Sequence, residues 1–195
     1  SHVDEVTTYG AVRDCMNSAA RLFAGQVNQV EDYLTSRGIS SNTTQRFLIG
    51  GTAGKNTLKQ HLLSRGHSEN TIRLSGLLNQ HGLDRFQHHV VIPIFLSGQV
   101  VDFYGRYLGD EPEHGKHWRL PTDRFILGRS LFNWDPSREE IILAEGIFDA
   151  LSLIEHGYDN AVATCGTNGL GPQLLELSKV GKIWMCFDGD AAGRR

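Results

Sequence analysis

The last third of the chain alternates short apolar runs with helical patterns: Ile141-Ile142-Leu143-Ala144, a helix over Gly146–His156, Ala161-Val162-Ala163, a helix over Pro172–Ser178, and Ile183-Trp184-Met185-Cys186-Phe187. Strands that are apolar along their whole length are buried on both faces, and the strand–helix–strand order makes them parallel neighbours in one sheet. No other stretch constrains the fold as much, because such a sheet also fixes where a ligand binds: the crevice above the carboxyl ends of its strands. Acidic residues stand there, Glu145-Gly146 after the first strand and Asp188-Gly189-Asp190 after the third. Two aspartates at i and i+2 of an extended segment leave it on the same side. Three carboxylates in one crevice repel one another unless a hard divalent cation such as Mg²⁺ or Mn²⁺ lies among them. The plain alternative, acids that stabilise helix N-termini against the macrodipole, accounts for any one of them better than for the set.

Upstream, Val12, Cys15, Met16, Ala19, Ala20, Leu22 and Phe23 recur at three- and four-residue steps, the stripe of one buried helix face. A second helix over Gln29–Ser36 stops at Arg37-Gly38, with Gly38 left-handed. Ser40 or Ser41 caps a short helix through Phe47, and Ser68 another through Leu78. Val90–Phe95 and Val100–Tyr104 are β-rich runs turning at Ser97-Gly98, an antiparallel hairpin whose first strand is put at an edge or a bulge by Pro93. Gly109–Pro121 reads as a long loop of the functional kind. The chain is therefore expected to be α/β, with an α+β subdomain over residues 1–139 and a parallel-sheet subdomain over residues 140–195. It stops at Arg195, where another helix is due, so the second subdomain is expected to be about one βα unit short.

Of the 195 residues 39% are hydrophobic and 21% charged, which excludes wholesale disorder, and no apolar run has the length of a bilayer span. Cys15, Cys165 and Cys186 are scattered and odd in number, so a disulfide framework and a paired-cysteine zinc module are both excluded and a reducing compartment is expected. Ser1–Gly10 shows no signal peptide. The net charge of −3 hides a pattern: residues 1–36, 37–140 and 141–195 carry −3, +3 and −3. A basic middle and an acidic end suit a chain that handles a polyanion in one place and metal ions in another.

Glu145-Gly146-Ile147-Phe148-Asp149-Ala150-Leu151, Asn160–Thr167 and Phe187-Asp188-Gly189-Asp190-Ala191-Ala192-Gly193-Arg194 resemble the successive motifs of a Toprim domain, the metal-binding module of DnaG-type primases, type IA and II topoisomerases, RecR-type recombination mediators and some nucleases. Tyr33-Leu34-Thr35-Ser36-Arg37-Gly38-Ile39-Ser40 and Arg46-Phe47-Leu48-Ile49-Gly50 resemble the opening of the DnaG catalytic core. Asp84-Arg85-Phe86, Val90–Ile94, Gly105-Arg106, Leu108-Gly109 and Gly128-Arg129-Ser130-Leu131-Phe132 follow that core's order, so the likeness runs from Val30 to Arg195. It implies synthesis of short RNA primers from NTPs on single-stranded DNA, by attack of a 3′-hydroxyl on an α-phosphate. It assigns Asp188 and Asp190 to Mg²⁺ or Mn²⁺, Glu145 to the metal or to acid/base work, Asp149 to bracing the site, and Gly166-Thr167 to a turn facing it.

Basic residues retained from the family pattern, Arg85, Arg106, Lys116, Arg119 and Arg129, are candidates for a template or nucleotide groove, with Trp118 as a stacking platform. Departures are Gln87, His88 and His89, where family members carry an arginine-rich run, and Leu127, where a lysine is common, so affinity for single strands is expected to be reduced. A replicative helicase would be engaged through a region absent here, and a bacterial, phage or plasmid source and a cytoplasmic site are implied. Two other readings compete: a non-catalytic nucleic-acid-binding scaffold, and a Toprim nuclease or topoisomerase relative. Gly50-Gly51-Thr52-Ala53-Gly54-Lys55-Asn56-Thr57 imitates a phosphate-binding loop, but its glycine spacing is one short and Asn56 replaces the hydroxyl. It reads as a plain turn before the next helix. His88, His89, His114 and His117 lack ligand-type partners and read as surface histidines, and Trp184 reads as core.

Overall fold

The computed structural model describes residues 2–110, 115–121, 130–164 and 175–187. Helix α1 (His2–Ala24) buries Val12, Cys15, Met16, Ala19, Ala20 and Phe23, the stripe that its spacing predicts. A 3₁₀ turn, Val27–Gln29, leads into α2 (Glu31–Ser36), which stops before Gly38 at φ +71°. Ser40 Oγ accepts the Thr43 amide at 3.3 Å and starts α3 (Ser41–Arg46); α4 (Thr57–Ser64) follows. Ser68 does the same for α5 (Glu69–Leu74), which ends one turn earlier than expected. Past it the chain reverses at Gly76, and Leu77-Leu78 pairs instead with Asp84-Arg85, through a bridge and an Arg85 N–H to Leu77 C=O bond of 2.9 Å.

Strands β1 (His89–Leu96) and β2 (Gln99–Tyr107) form the expected antiparallel hairpin, with Ser97 and Gly98 both at positive φ, as a tight turn between twisted strands requires. Proline 93 lies on the edge strand, and the pairing register slips just after it, between Ile94 and Phe95. The expected loop over Gly109–Pro121 needs correction, because His117–Arg119 is a strand, β3, paired antiparallel to the free edge of β2. The His-Trp-Arg alternation, polar on one face and apolar on the other, suits a strand with one covered face. Sheet alternation then sorts the side chains. Val91, Val100 and Phe103 pack with α1, α4 and α5, whereas Val90, Ile92, Ile94 and Tyr104 face the rest of the chain.

The second sheet is parallel, with β4 (Glu140–Ala144) between β5 (Ala161–Ala163) and β6 (Lys182–Cys186). Helix α6 (Ile147–Glu155) buries Ile147, Phe148, Ala150, Leu151 and Ile154 against one sheet face and against Val30, Leu34, Phe47 and the hairpin. Leu131, Ile141, Leu143, Val162 and Leu177 fill the other face. Strand β6 departs from the fully buried expectation. Trp184 is 52% exposed and Met185 61%; the indole donates to Glu140 and lies under Lys182 Nζ at 4.0 Å, so Trp184 is not core. An edge strand is buried only where another element lies over it, and among the described residues none covers these two side chains. The two sheets share one core cluster that spans the 139/140 division expected from sequence. Polar contacts reinforce it: Glu155 Oε1 accepts from the Ser40 amide at 2.7 Å and from its hydroxyl at 2.9 Å. No described helix is long and apolar enough to cross a membrane.

Candidate functional site

The chain leaves central strand β4 toward β5 through α6, and β6 lies on the other side of β4, so the C-terminal end of β4 is a topological switch point. Glu145 stands there, one residue past Ala144, which is in register with Ala163 of β5 and Cys186 of β6. Thr164 closes one side: its hydroxyl donates to the Glu145 carbonyl at 3.0 Å and its amide to the Ala144 carbonyl at 3.4 Å. Asp149, at the third position of α6, accepts the Gly146 amide at 3.1 Å and so fixes the turn that follows Glu145. The Glu145 carboxylate is left over. Its Oε2 is buried without a hydrogen-bond partner among the described residues, an arrangement that costs free energy unless a cation or a donor fills it.

A hard cation fits that oxygen, since a carboxylate at the open end of a parallel sheet offers the donor type that Mg²⁺ and Mn²⁺ take. Among the described residues no three metal-binding side chains come together. Asp188, Asp190, Gly166 and Thr167 lie outside the described residues, as do Arg129 and His114. Phe187, the last described residue before the two aspartates, directly follows β6, beside the end of β4.

The basic candidates separate by strand face. Arg106 and Lys116 line a cleft of about 390 Å³ with Asn28, Asp32, Tyr33 and Leu108, between α2 and the end of β2. The cleft is tied to the carboxylate end through aromatic contacts: Tyr33 and Tyr104 both meet the Phe148 ring, at 5.7 and 6.4 Å between centroids, and Phe148 is three residues past Glu145. Arg119 shares that sheet face but is ion-paired with Asp102, which is wholly buried. Trp118 is on the opposite face, its ring 4.9 Å from that of His89 and its Nε1 donating to the Gly115 carbonyl at 2.8 Å. Arg85 stands apart, its guanidinium donating to the carbonyls of Gly76 and Leu78. The structure thus brings Arg106 and Lys116 together at the cleft, whereas the other described candidates, Arg85 and Arg119, are engaged by backbone carbonyls and by Asp102.

One placement revises the sequence reading and two give it detail. His89 is not a surface histidine: it is 1% exposed among Phe86, Tyr107 and Trp118, and burial pushes its pKa down to about 4. His117 is exposed, as expected, but held through both ring nitrogens, by Tyr104 Oη at 2.6 Å and Arg106 Nη1 at 2.7 Å; the β2–β3 register, which a loop reading of this stretch could not supply, puts it on the Arg106 face. The glycine-rich stretch is structural. A Cβ at Gly50 would stand 1.9 Å from the Phe23 carbonyl oxygen, and the Gly51 amide donates to that carbonyl at 3.1 Å, closing the end of α1. The first amides of α4, where a phosphate would sit, are taken by the Asp84 carboxylate, at 2.8 Å from Leu58 N and 2.9 Å from Lys59 N.

A family model for the N-terminal domain of the DNA primase catalytic core matches residues 18–138, and a Toprim-like model matches residues 142–195. The DNA primase of Pseudomonas putida is 35% identical over 179 residues, covering 84% of this chain and 27% of its own length. That of Deinococcus radiodurans is 34% identical over 178 residues, covering 83% and 31%. The chain therefore spans less than a third of the length of these relatives. Among solved structures, a DnaG primase catalytic domain bound to single-stranded DNA superposes with a TM-score of 0.82 at 25% identity, over 97% of this chain and 64% of that one. The RNA polymerase domain of Mycobacterium tuberculosis DnaG, in complex with a double-stranded DNA oligomer with a 6-nucleotide overhang, superposes at 0.84 and 26% identity, over 95% and 66%.

Proposed function

The chain belongs to the family of DnaG-type DNA primase catalytic cores, and from that membership we propose that it carries the metal-dependent polymerising centre that makes short RNA primers from NTPs on single-stranded DNA. The observation that carries the reading is the partnerless, buried Glu145 Oε2 at the switch point of the parallel sheet. Glu145, with Asp188 and Asp190 from the segment after β6, holds Mg²⁺ or Mn²⁺. The bound ions would offset charge on the transferring phosphates and activate the attacking 3′-hydroxyl. Asp149 and Thr164 hold the Glu145 backbone in place, through the Gly146 amide and the Glu145 carbonyl, and the Toprim likeness assigns Gly166-Thr167 to a turn facing them.

Arg106 and Lys116 contact template or nucleotide phosphates in the cleft beside α2, with Arg129 as a further contact and Trp118, Arg119 and Arg85 supporting the sheet and loop behind it. Residues 1–139 act as the template-handling subdomain and residues 140–195 as the metal-binding one. A helicase partner and a cytoplasmic setting belong to the whole protein.

The test is incubation of the chain with single-stranded DNA, labelled NTPs and Mg²⁺ or Mn²⁺, with and without chelator. Short RNA products that vanish on metal removal support the reading. Cleaved DNA would replace it with a nuclease, and binding indifferent to metal, without products, with a scaffold.

A further inference from the structure

Arg106 and His117 are cross-strand partners on β2 and β3, and the strand register alone brings their side chains to one sheet face. The contact between them, 2.7 Å from Nη1 to Nε2, has only one direction. A guanidinium has donors and no acceptor, so His117 Nε2 must offer its lone pair. The ring is then neutral with its proton on Nδ1, and that N–H donates to Tyr104 Oη, 2.6 Å away. Tyr104 is a rigid anchor, 4% exposed with its ring against Phe148. The result is a chain of contacts from the first turn of α6 through Phe148, Tyr104 and His117 to the Arg106 guanidinium at the cleft wall.

We propose that His117 is a positioning residue that holds Arg106 ready for a phosphate group of the nucleic acid in the cleft, an assignment that rests on the reading of the cleft given above. An arginine tethered through one nitrogen keeps its remaining donors for the ligand and surrenders less rotamer freedom on binding, an advantage of roughly threefold to tenfold in affinity. Only a neutral ring can do this, and the surroundings favour one: partial burial and the Arg106 charge both lower the pKa of His117. Among the described residues the other charged or titratable groups at this corner are Lys116 beside it, Asp32 and Tyr33 across the cleft on α2, and the Arg119–Asp102 pair one step along the sheet.

The experiment measures binding of a fluorescent single-stranded oligonucleotide at pH 7.5 and fixed salt to the chain and its variants. Arg106→Ala is expected to weaken binding roughly tenfold, the scale of one charge-assisted hydrogen bond. His117→Leu should weaken it roughly threefold, with no further loss in the Arg106→Ala background. His117→Gln, whose carbonyl oxygen can accept where Nε2 does, should restore binding to within about twofold. Nitrogen-15 NMR of the chain without DNA should show His117 as the Nδ1–H tautomer. Wild-type binding by His117→Leu beside a weakened Arg106→Ala, or an Nε2–H tautomer, overturns this proposal alone. Unchanged binding by Arg106→Ala overturns the cleft reading with it.

Discussion

The carboxylate end of the parallel sheet and the cationic face of the antiparallel sheet treat buried charge in opposite ways. At the first, Glu145 keeps a buried oxygen without a partner among the described residues, although its backbone is fixed on both sides by Thr164 and the Asp149 turn. At the second, the Asp102 charge is paired with Arg119, although Arg119 Nε is itself buried without a partner among the described residues, and Arg106 is held by His117. A buried polar atom without a partner destabilises a fold, whereas a satisfied pair is close to neutral but costly to break. The contrast is one of charge pairing: among the described residues the first region holds a carboxylate without a counter-ion, where a cation would fit, and the second pairs its buried aspartate and presents Arg106 and Lys116 at the cleft.

Glu145→Gln is the sharpest way to test that contrast. It should lower metal-dependent NTP incorporation roughly a hundredfold or more, while urea unfolding shows stability unchanged or raised, because the variant removes a charge from a site without a protein partner. A large loss of stability would break the comparison. Asp102→Ala should do the reverse, costing about 3–5 kcal/mol in the same unfolding experiment by leaving the Arg119 charge without its partner.

Next in size is the acid sensitivity set by His89. Burial lowers its folded pKa to about 4, below the ordinary 6.5, so the unfolded chain binds the proton first as pH falls. Stability from this group is complete above pH 6.5 and is lost progressively toward pH 4, by about 2–3 kcal/mol. His89→Phe, which keeps a ring among Phe86, Tyr107 and Trp118, should flatten that slope in a pH series of unfolding midpoints. The smallest effect belongs to Arg46→Ala. It breaks a pair with Asp159 whose side chains are 45% and 69% exposed, and should leave the urea unfolding midpoint nearly unchanged.

Much of this was legible in the residues. The α1 stripe, the Ser40 and Ser68 caps, the Ser97-Gly98 turn and the order of parallel strands each depend on a few neighbours along the chain, and each is where its pattern points. Glu145 was equally visible, because an acid after an apolar strand is at the sheet's open end whatever the rest of the chain does. The misses share one cause. β3 needed the free edge of β2 to pair with; His89 needed three aromatic rings from other segments; Trp184 is exposed because burial of an edge strand depends on what covers it.

The sequence by itself therefore determined the periodic elements, their order and the place of Glu145 at the end of a parallel strand, since local dihedral preference and hydrophobic spacing act within a few residues. Only the tertiary structure decided which charges are spent on protein partners and which remain for a ligand. Arg119 and Arg106 look alike in the sequence, yet one faces a buried aspartate and the other a histidine at the cleft rim. The energy of a charge is set by the groups that fold around it, and most of those lie far away along the chain.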